Sequence, residues 1–281
     1  SMPLQFIANG LYMGALYAIS ALGFGLIYNT TNIFHFAHGA VYTATAYLIY
    51  LFLISLKIPV LLSLLISLLL SSVFGVLIDI LVYRPLEKKG ISSGAVMISS
   101  FGVYLFTINL IALLSGNETK ILNPGIEKTF EFGSVILTRI QMIAFIVFIL
   151  ILFLFFLWRR TKIGKIIIAF SNNPSLVEVL GWNPAKIRTT VFFIGSLLCA
   201  ISSLLSAFDI GFDPYVGMNS LLVSAVAVII GGVKIFEGAI VGAFVIGLLQ
   251  SLTVWQISAR WMEAVVFILL IFFLLFRPQG L

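Results

Sequence analysis

The chain has 281 residues, of which 61% are hydrophobic and only 9% charged, with a formal net charge of +6. Soluble domains carry about 25% charged residues, so this composition excludes a soluble enzyme and points to a polytopic membrane protein. Uncharged runs longer than the roughly 20 residues that cross a hydrocarbon core as helix make it all-α, whereas a closed barrel would need short alternating strands.

The first span is expected over Leu4 to Tyr28. It carries Gly10 and Gly14, a small-xxx-small spacing that admits another helix closely, and it is longer than the apolar stretch of a cleaved signal sequence. A polar break at Asn29 to Asn32 and His35-Phe-Ala-His38-Gly39 lead into a second span ending near Ile54. A third runs from Pro59 to Tyr83 and ends at the basic cluster Arg84 to Lys89. The fourth, Ala95 to Leu114, precedes a polar loop over 116–139 with strand character, and the fifth covers Ile140 to Trp158. Between Trp158 and Thr190 lies the one long basic interruption. In it Ser171 or Asn172 caps a short helix, Pro174 suits the first turn, and Gly181 with Pro184 ends it. That reads as a helix outside the bilayer, offered to a cytoplasmic partner; a solvated loop joining two spans is the plainer alternative.

A sixth span follows from Val191 to Phe208, then an acidic loop from Asp209 to Gly217. Leu221 to Ile230 is short enough to be re-entrant or half a broken helix. Gly238 and Gly242, a second close-packing pair, open a segment that ends near Val254, and the last span is Met262 to Phe276. The sum is eight or nine transmembrane or re-entrant helices in one domain. Its parts are N-terminal spans over 1–158, a cytoplasmic segment over 159–190 and C-terminal spans over 191–281. Eleven Lys and Arg fall in loops assigned inside and five in loops assigned outside, in keeping with the positive-inside rule. The positive charge thus serves orientation, and no nucleic-acid partner is implied. An internal repeat is suggested by Phe36 to Val41 and Ile235 to Ile240, which both open an apolar span after a polar break.

Few residues carry chemistry. His35 and His38 are the only histidines and Cys199 the only cysteine, short of the three or four ligands of a zinc site, so neither a metal nor a cofactor is expected. Polar groups at membrane depth need protein or cavity water. Asn32, His35, Phe36, His38 and Gly39 therefore read as unwound backbone beside a permeation pathway, with a pathway or gating role; structural hydrogen bonding near the headgroups is the alternative. Asp79 in the third span is either proton-coupled or ion-paired with Arg84. No phosphate-binding loop, nucleophile elbow or carboxylate cluster is present, so any ATP must be bound by another chain.

Several stretches together resemble one family: His35-Phe-Ala-His-Gly39, Tyr83-Arg-Pro-Leu86, Asn172-Asn-Pro174 through Gly181, Asp213-Pro-Tyr-Val-Gly217, Gly231-Gly232 with Gly238-Ala239, and Arg277-Pro-Gln-Gly-Leu281. Their order and spacing are similar to the LivH-type permease of bacterial branched-chain amino acid ABC importers, across nearly the whole chain. In that family Asn usually stands where this chain has His35. The resemblance implies a multi-pass subunit of the bacterial inner membrane without its own ATPase site. Its partners would be cytoplasmic ABC ATPases, a LivM-like permease or a second copy of itself, an extracytoplasmic solute-binding protein and the surrounding lipid. It also implies that a cytoplasmic helix ending in Gly docks in the ATPase; the matching positions are Asn173, Pro174, Glu178 and Gly181. The competing reading is an autonomous channel or ion-coupled secondary transporter, which would carry buried ionisable relays.

Overall fold

The computed structural model describes residues 2–123 and 127–281. Helix α1 (Met2–Thr31) is the axis of the fold, buried along one side or another from Gly10 to Ile27. Its 30 residues span about 45 Å at 1.5 Å per residue. Small side chains let its neighbours in. Gly10 faces Leu248 and Ser251, Gly14 faces Phe244, and Gly25 faces Val228 and Ala239.

A five-residue break, 32–36, begins with Asn32 in the left-handed region (φ 56°), a conformation that Asn tolerates better than most residues. It leads to α2 (Ala37–Tyr50), which closes on a π turn at Leu51–Ser55. Helix α3 (Val60–Ile78) turns Ser63, Ser67 and Ser71 inward at four-residue intervals, while Leu61, Leu65 and Leu69 stay exposed. That is the division expected of a helix with lipid on one side and close-packed protein on the other. Tyr83 does not end this span. A π turn at Asp79–Tyr83 carries it into α4 (Arg84–Lys88), with the Arg84 amide bonded to Asp79 O five residues back. The turn accommodates Pro85, which has no N–H to continue the ladder.

Next come α5 (Ser93–Ser115) and an antiparallel hairpin, β1 (Thr129–Phe132) with β2 (Val135–Thr138), paired from Thr129↔Thr138 to Phe132↔Val135. Helix α6 (Arg139–Arg160) starts at a capping box in which Thr138 and Gln141 satisfy each other's amides, the reciprocal arrangement that closes two orphan donors at once. The basic interruption holds two helices rather than one: α7 (Lys162–Asn172), capped by Thr161, and α8 (Pro174–Val179). The cap of α8 is Asn173, whose Oδ1 accepts from the Leu176 amide at 3.1 Å, and not Ser171 or Asn172, which lie inside α7.

Helix α9 (Pro184–Ile210) begins seven residues before the expected Val191, with Pro184 in its first turn and Asn183 as cap. Lys186 and Arg188 are therefore helical. Helices α10 (Val216–Gly231) and α11 (Gly238–Gln256) follow, and a single 3₁₀ turn at Ala259–Trp261 opens α12 (Met262–Phe276). Among the described residues eight helices are long and apolar enough to cross a membrane, and α10 is a shorter apolar helix. At 16 residues it reaches about 24 Å, less than a 30 Å core.

Contacts sort the connections into two ends. At one, Arg84 bonds Ala185 O and Thr189, Arg188 pairs with Glu87, Arg159 with Glu237, and Leu281 N bonds Ile230 O. At the other, Gln5 bonds Ile136, Lys120 bridges Phe212, and Tyr215 reaches Asn117. Nine apolar segments thus run alternately between a basic end and its opposite.

The internal symmetry differs in register from the Phe36–Val41 and Ile235–Ile240 echo. A second five-residue break, 211–215, starts at Gly211 (φ 80°) as the first starts at Asn32, and leads to α10 as the first leads to α2. The helix contacts repeat in the same sense: α1 packs on α11 and α10 as α9 packs on α3 and α2, and α2 packs on α3 and α5 as α10 packs on α11 and α12, so α1, α2, α3 and α5 pair with α9, α10, α11 and α12. Two glycine pairs mark the centre of this inverted repeat: Gly23 against Gly195, and Gly39 against Gly217.

Candidate functional site

Broken helices inside a membrane leave amides and carbonyls that protein must satisfy. At the first break Thr31 Oγ1 donates to Ile27 O at 2.7 Å and accepts from the Ile33 amide at 3.3 Å. Ser100 Oγ accepts from the Ala37 amide at 2.9 Å and from Tyr83 OH at 2.7 Å, while Tyr83 OH lies 2.6 Å from His35 Nδ1. His38 Nε2 sits 3.2 Å from Ser20 O, and Cys199 Sγ donates to His38 O at 3.3 Å. At the second break Asp213 accepts from the Tyr215 amide at 2.8 Å, and Thr43 Oγ1 accepts from the Gly217 amide at 3.1 Å. Ser224 Oγ donates to Ser20 Oγ at 2.9 Å. The starts of α2 and α10 are thereby tied to each other and to the middle of α1.

Of the five residues expected in unwound backbone, Asn32, His35 and Phe36 lie in the break, whereas His38 and Gly39 are helical because α2 starts at Ala37, its first amide held by Ser100. His35, His38 and Gly39 are buried, Phe36 is half-buried and Asn32 is exposed. Phe36 packs on Phe34 and Phe101 at ring distances of 4.9 and 5.5 Å. Rings of His35 and His38 stand 5.9 Å apart, and among the described residues no group of three His, Cys, Asp or Glu side chains comes together to hold a metal. A Cβ on Gly217 would overlap Gly39 O and Thr43 Oγ1, so α2 and α10 meet in backbone contact.

At the basic end Asp79 is fully buried, with Arg84 Nε at 2.8 Å from one oxygen and Arg188 at 2.5 Å from the other. Arg84 also bonds Thr189 at 2.8 Å, and Arg188 pairs with Glu87. Sequence points to Arg84 as the partner; the structure adds Arg188, which is helical in the first turns of α9 rather than in a loop. The signal available for it is physical: a carboxylate buried at this depth needs full charge compensation, and the basic end supplies the second cation from the first turns of α9. This cluster fastens the start of α9, the first helix after the basic interruption, to the end of the α3–α4 span.

The interruption folds as an elbow. Val177, Ile167 and Phe170 turn inward, whereas Leu176, Val179 and Leu180 are 53%, 82% and 68% exposed. Lys162 Nζ lies over the Trp182 ring at 5.2 Å. Asn173, Pro174 and Glu178 are exposed. Gly181 (φ 91°) ends the elbow with open space around it, its amide bonded to Glu178 O at 2.9 Å. The remaining predicted glycines all lie at helix contacts: Gly10 and Gly14 against α11, Gly238 against Gly231, and Gly242 against Ala227.

Comparison with known proteins agrees with this architecture. A family described as branched-chain amino acid transport system / permease component matches residues 6–275. The chain is 28% identical to the high-affinity branched-chain amino acid transport system permease protein BraD of Pseudomonas aeruginosa, over 99% of this chain and 95% of that one. It is 26% identical to the LivH permease protein of Escherichia coli, over 99% and 94%. A shorter likeness, 26% over 64% of this chain and 53% of the other, is to the autoinducer 2 import system permease protein LsrC of Yersinia pestis. No solved structure matches. The order of helices, the glycine contacts that hold them and the match over 6–275 lead to one conclusion: this multi-pass inner-membrane chain belongs to the family of permease components of branched-chain amino acid transport systems.

Proposed function

We propose that the chain is the transmembrane subunit of an ATP-driven importer of branched-chain or related amino acids, moved between outward- and inward-facing states by separate cytoplasmic ATPases. The observation that carries this reading is the elbow over 161–183, which projects Leu176, Val179 and Leu180 into water at the basic end. Three large apolar side chains so exposed outside the hydrocarbon mark a surface that another protein covers. By the positive-inside rule that end faces the cytoplasm. Asn173, Pro174, Glu178 and Gly181 frame the docking helix. Motion applied there passes into α9 and, through Arg188 and Asp79, into α3. The α2–α10 junction at Asn32, His35, Phe36, His38 and Gly39 acts as the gate, since rigid repeats rocking around a fixed centre alternate access.

An ion-coupled mechanism needs ionisable groups free to change charge within the membrane. Asp79 is paired with two arginines, and His35 and His38 are hydrogen-bonded to Tyr83 and Ser20. Their engagement favours external power. The partners are two ABC ATPases, a second permease chain or a second copy of this one, and an extracytoplasmic binding protein. Reconstitution in proteoliposomes tests the reading: leucine uptake should require the ATPases, ATP and the binding protein. Leucine flux through this chain alone, indifferent to ATP, would overturn it.

A further inference from the structure

A cavity of about 240 Å³ lies between α10, α11 and α12, on the side of α10 turned away from the Gly39–Gly217 contact. Its polar lining comes from Asn219, Gln250 and Glu263, and its apolar wall from Leu222, Val266 and Phe267. The size suits a small solute rather than a larger cofactor. It opens in the half of the protein opposite the basic end, because Gln250 is level with Tyr17 of α1 and Glu263 lies in the first turn of α12.

Two of the polar groups keep hydrogen-bonding capacity that no other side chain among the described residues uses. Gln250 is only 2% exposed; its Oε1 accepts from Tyr17 OH at 2.6 Å, and among the described residues its amide nitrogen has no hydrogen-bond partner. A carboxamide carries two N–H donors, and Gln250 Nε2 is not among the enclosed polar atoms that lack a partner, so these donors face the open volume of the cavity. Tyr17 fixes the oxygen and so leaves the amide nitrogen as the free end of a side chain that lines the cavity. Glu263 is exposed and, among the described residues, forms no ion pair. It stands in the first turn of α12, where the helix dipole favours an acid, and it lines the cavity. Asn219, one turn into α10, is exposed beside them near the positive end of that helix.

One anion, two amides able to donate and an aliphatic-aromatic wall are the complement of a zwitterion with an apolar side chain. We propose that this cavity is a transit subsite for an aliphatic α-amino acid. Glu263 receives the ammonium group, Gln250 and Asn219 donate to the carboxylate, and Leu222, Val266 and Phe267 take the side chain. The assignment rests on the importer reading and gives the solute its first protein contact within the membrane domain.

The test uses the complete complex, with both permease chains, ATPases and binding protein, reconstituted in proteoliposomes and supplied with radiolabelled leucine. Glu263→Gln is expected to lower leucine uptake tenfold or more while leucine-loaded binding protein still stimulates ATP hydrolysis within twofold of the unaltered complex. Glu263→Asp should recover part of the uptake, which a purely structural role would not require. Asn219→Ala, on an exposed position that places no demand on folding, should lower uptake several-fold. Unimpaired uptake in Glu263→Gln and Asn219→Ala, with normal flux in the unaltered complex, overturns the subsite alone. An unaltered complex that moves no aliphatic amino acid overturns the importer reading and the subsite together.

Discussion

Arg188 donates to Asp79 at 2.5 Å across 109 residues of sequence, joining the first turns of α9 to the end of α3 where the helix slips into a π turn. Removing one member of a buried pair leaves an uncompensated charge, which costs about 3–5 kcal/mol. Arg188→Ala should therefore lower the thermal stability of the detergent-solubilised protein sharply. The double variant Asp79→Asn/Arg188→Gln should recover much of that loss. Equal and additive losses would show that the two side chains are not coupled.

The α2–α10 junction predicts a contrast between glycines. A side chain at Gly217 would overlap Gly39 O, whereas Gly102 of α5 has nothing within 4 Å of the place its Cβ would occupy. Gly217→Val should abolish recovery of folded protein. Gly102→Ala should leave it unchanged, and both are read by size-exclusion chromatography after extraction.

Tyr83 bonds both His35 and Ser100 with one hydroxyl in a buried setting. Tyr83→Phe keeps the ring and removes both hydrogen bonds, leaving His35 Nδ1 without a partner. The expected loss is about 1–3 kcal/mol, visible as a fall in the midpoint of thermal unfolding. Ser100→Ala should weaken the same network and also free the Ala37 amide at the start of α2.

On the elbow, Val179→Glu and Leu180→Glu place charges on an already exposed surface, so membrane insertion and yield should not change. Coupling should. Leucine uptake by the reconstituted complex is expected to fall tenfold or more, while ATP hydrolysis becomes independent of the binding protein. At Gly181 the positive φ, not crowding, sets the tolerance. Asn accepts that conformation and should nearly preserve coupling, whereas Val, strained there by about 1–2 kcal/mol, should not.

The spans were legible because long uncharged runs admit one structure in lipid, and the ends of α2, α5 and α12 fall within a few residues of where composition puts them. Helix α7 was hidden: its apolar residues and lysines read as a basic loop until its inward face meets α1 and α6. The early start of α9 was obscured in the same way, because Lys186 and Arg188 look like loop charges and Arg188 finds its carboxylate only in three dimensions. The inverted repeat left almost no trace in sequence. Asn32-Ile-Phe-His-Phe36 and Gly211-Phe-Asp-Pro-Tyr215 share only a first residue suited to positive φ and an aromatic fifth. Gln250 and Glu263, polar residues within or beside apolar spans, carried a signal that the count of histidines and of acids near Arg84 overshadowed.

The side of the membrane on which the elbow lies decides the central claim. With Cys199, buried and bonded to His38 O, replaced by Ser, Val179→Cys provides a single reactive thiol. A membrane-impermeant maleimide applied to right-side-out vesicles should leave it unlabelled; permeabilisation should expose it, and bound ATPase should protect it again. Labelling in sealed right-side-out vesicles would put the elbow outside and contradict the account.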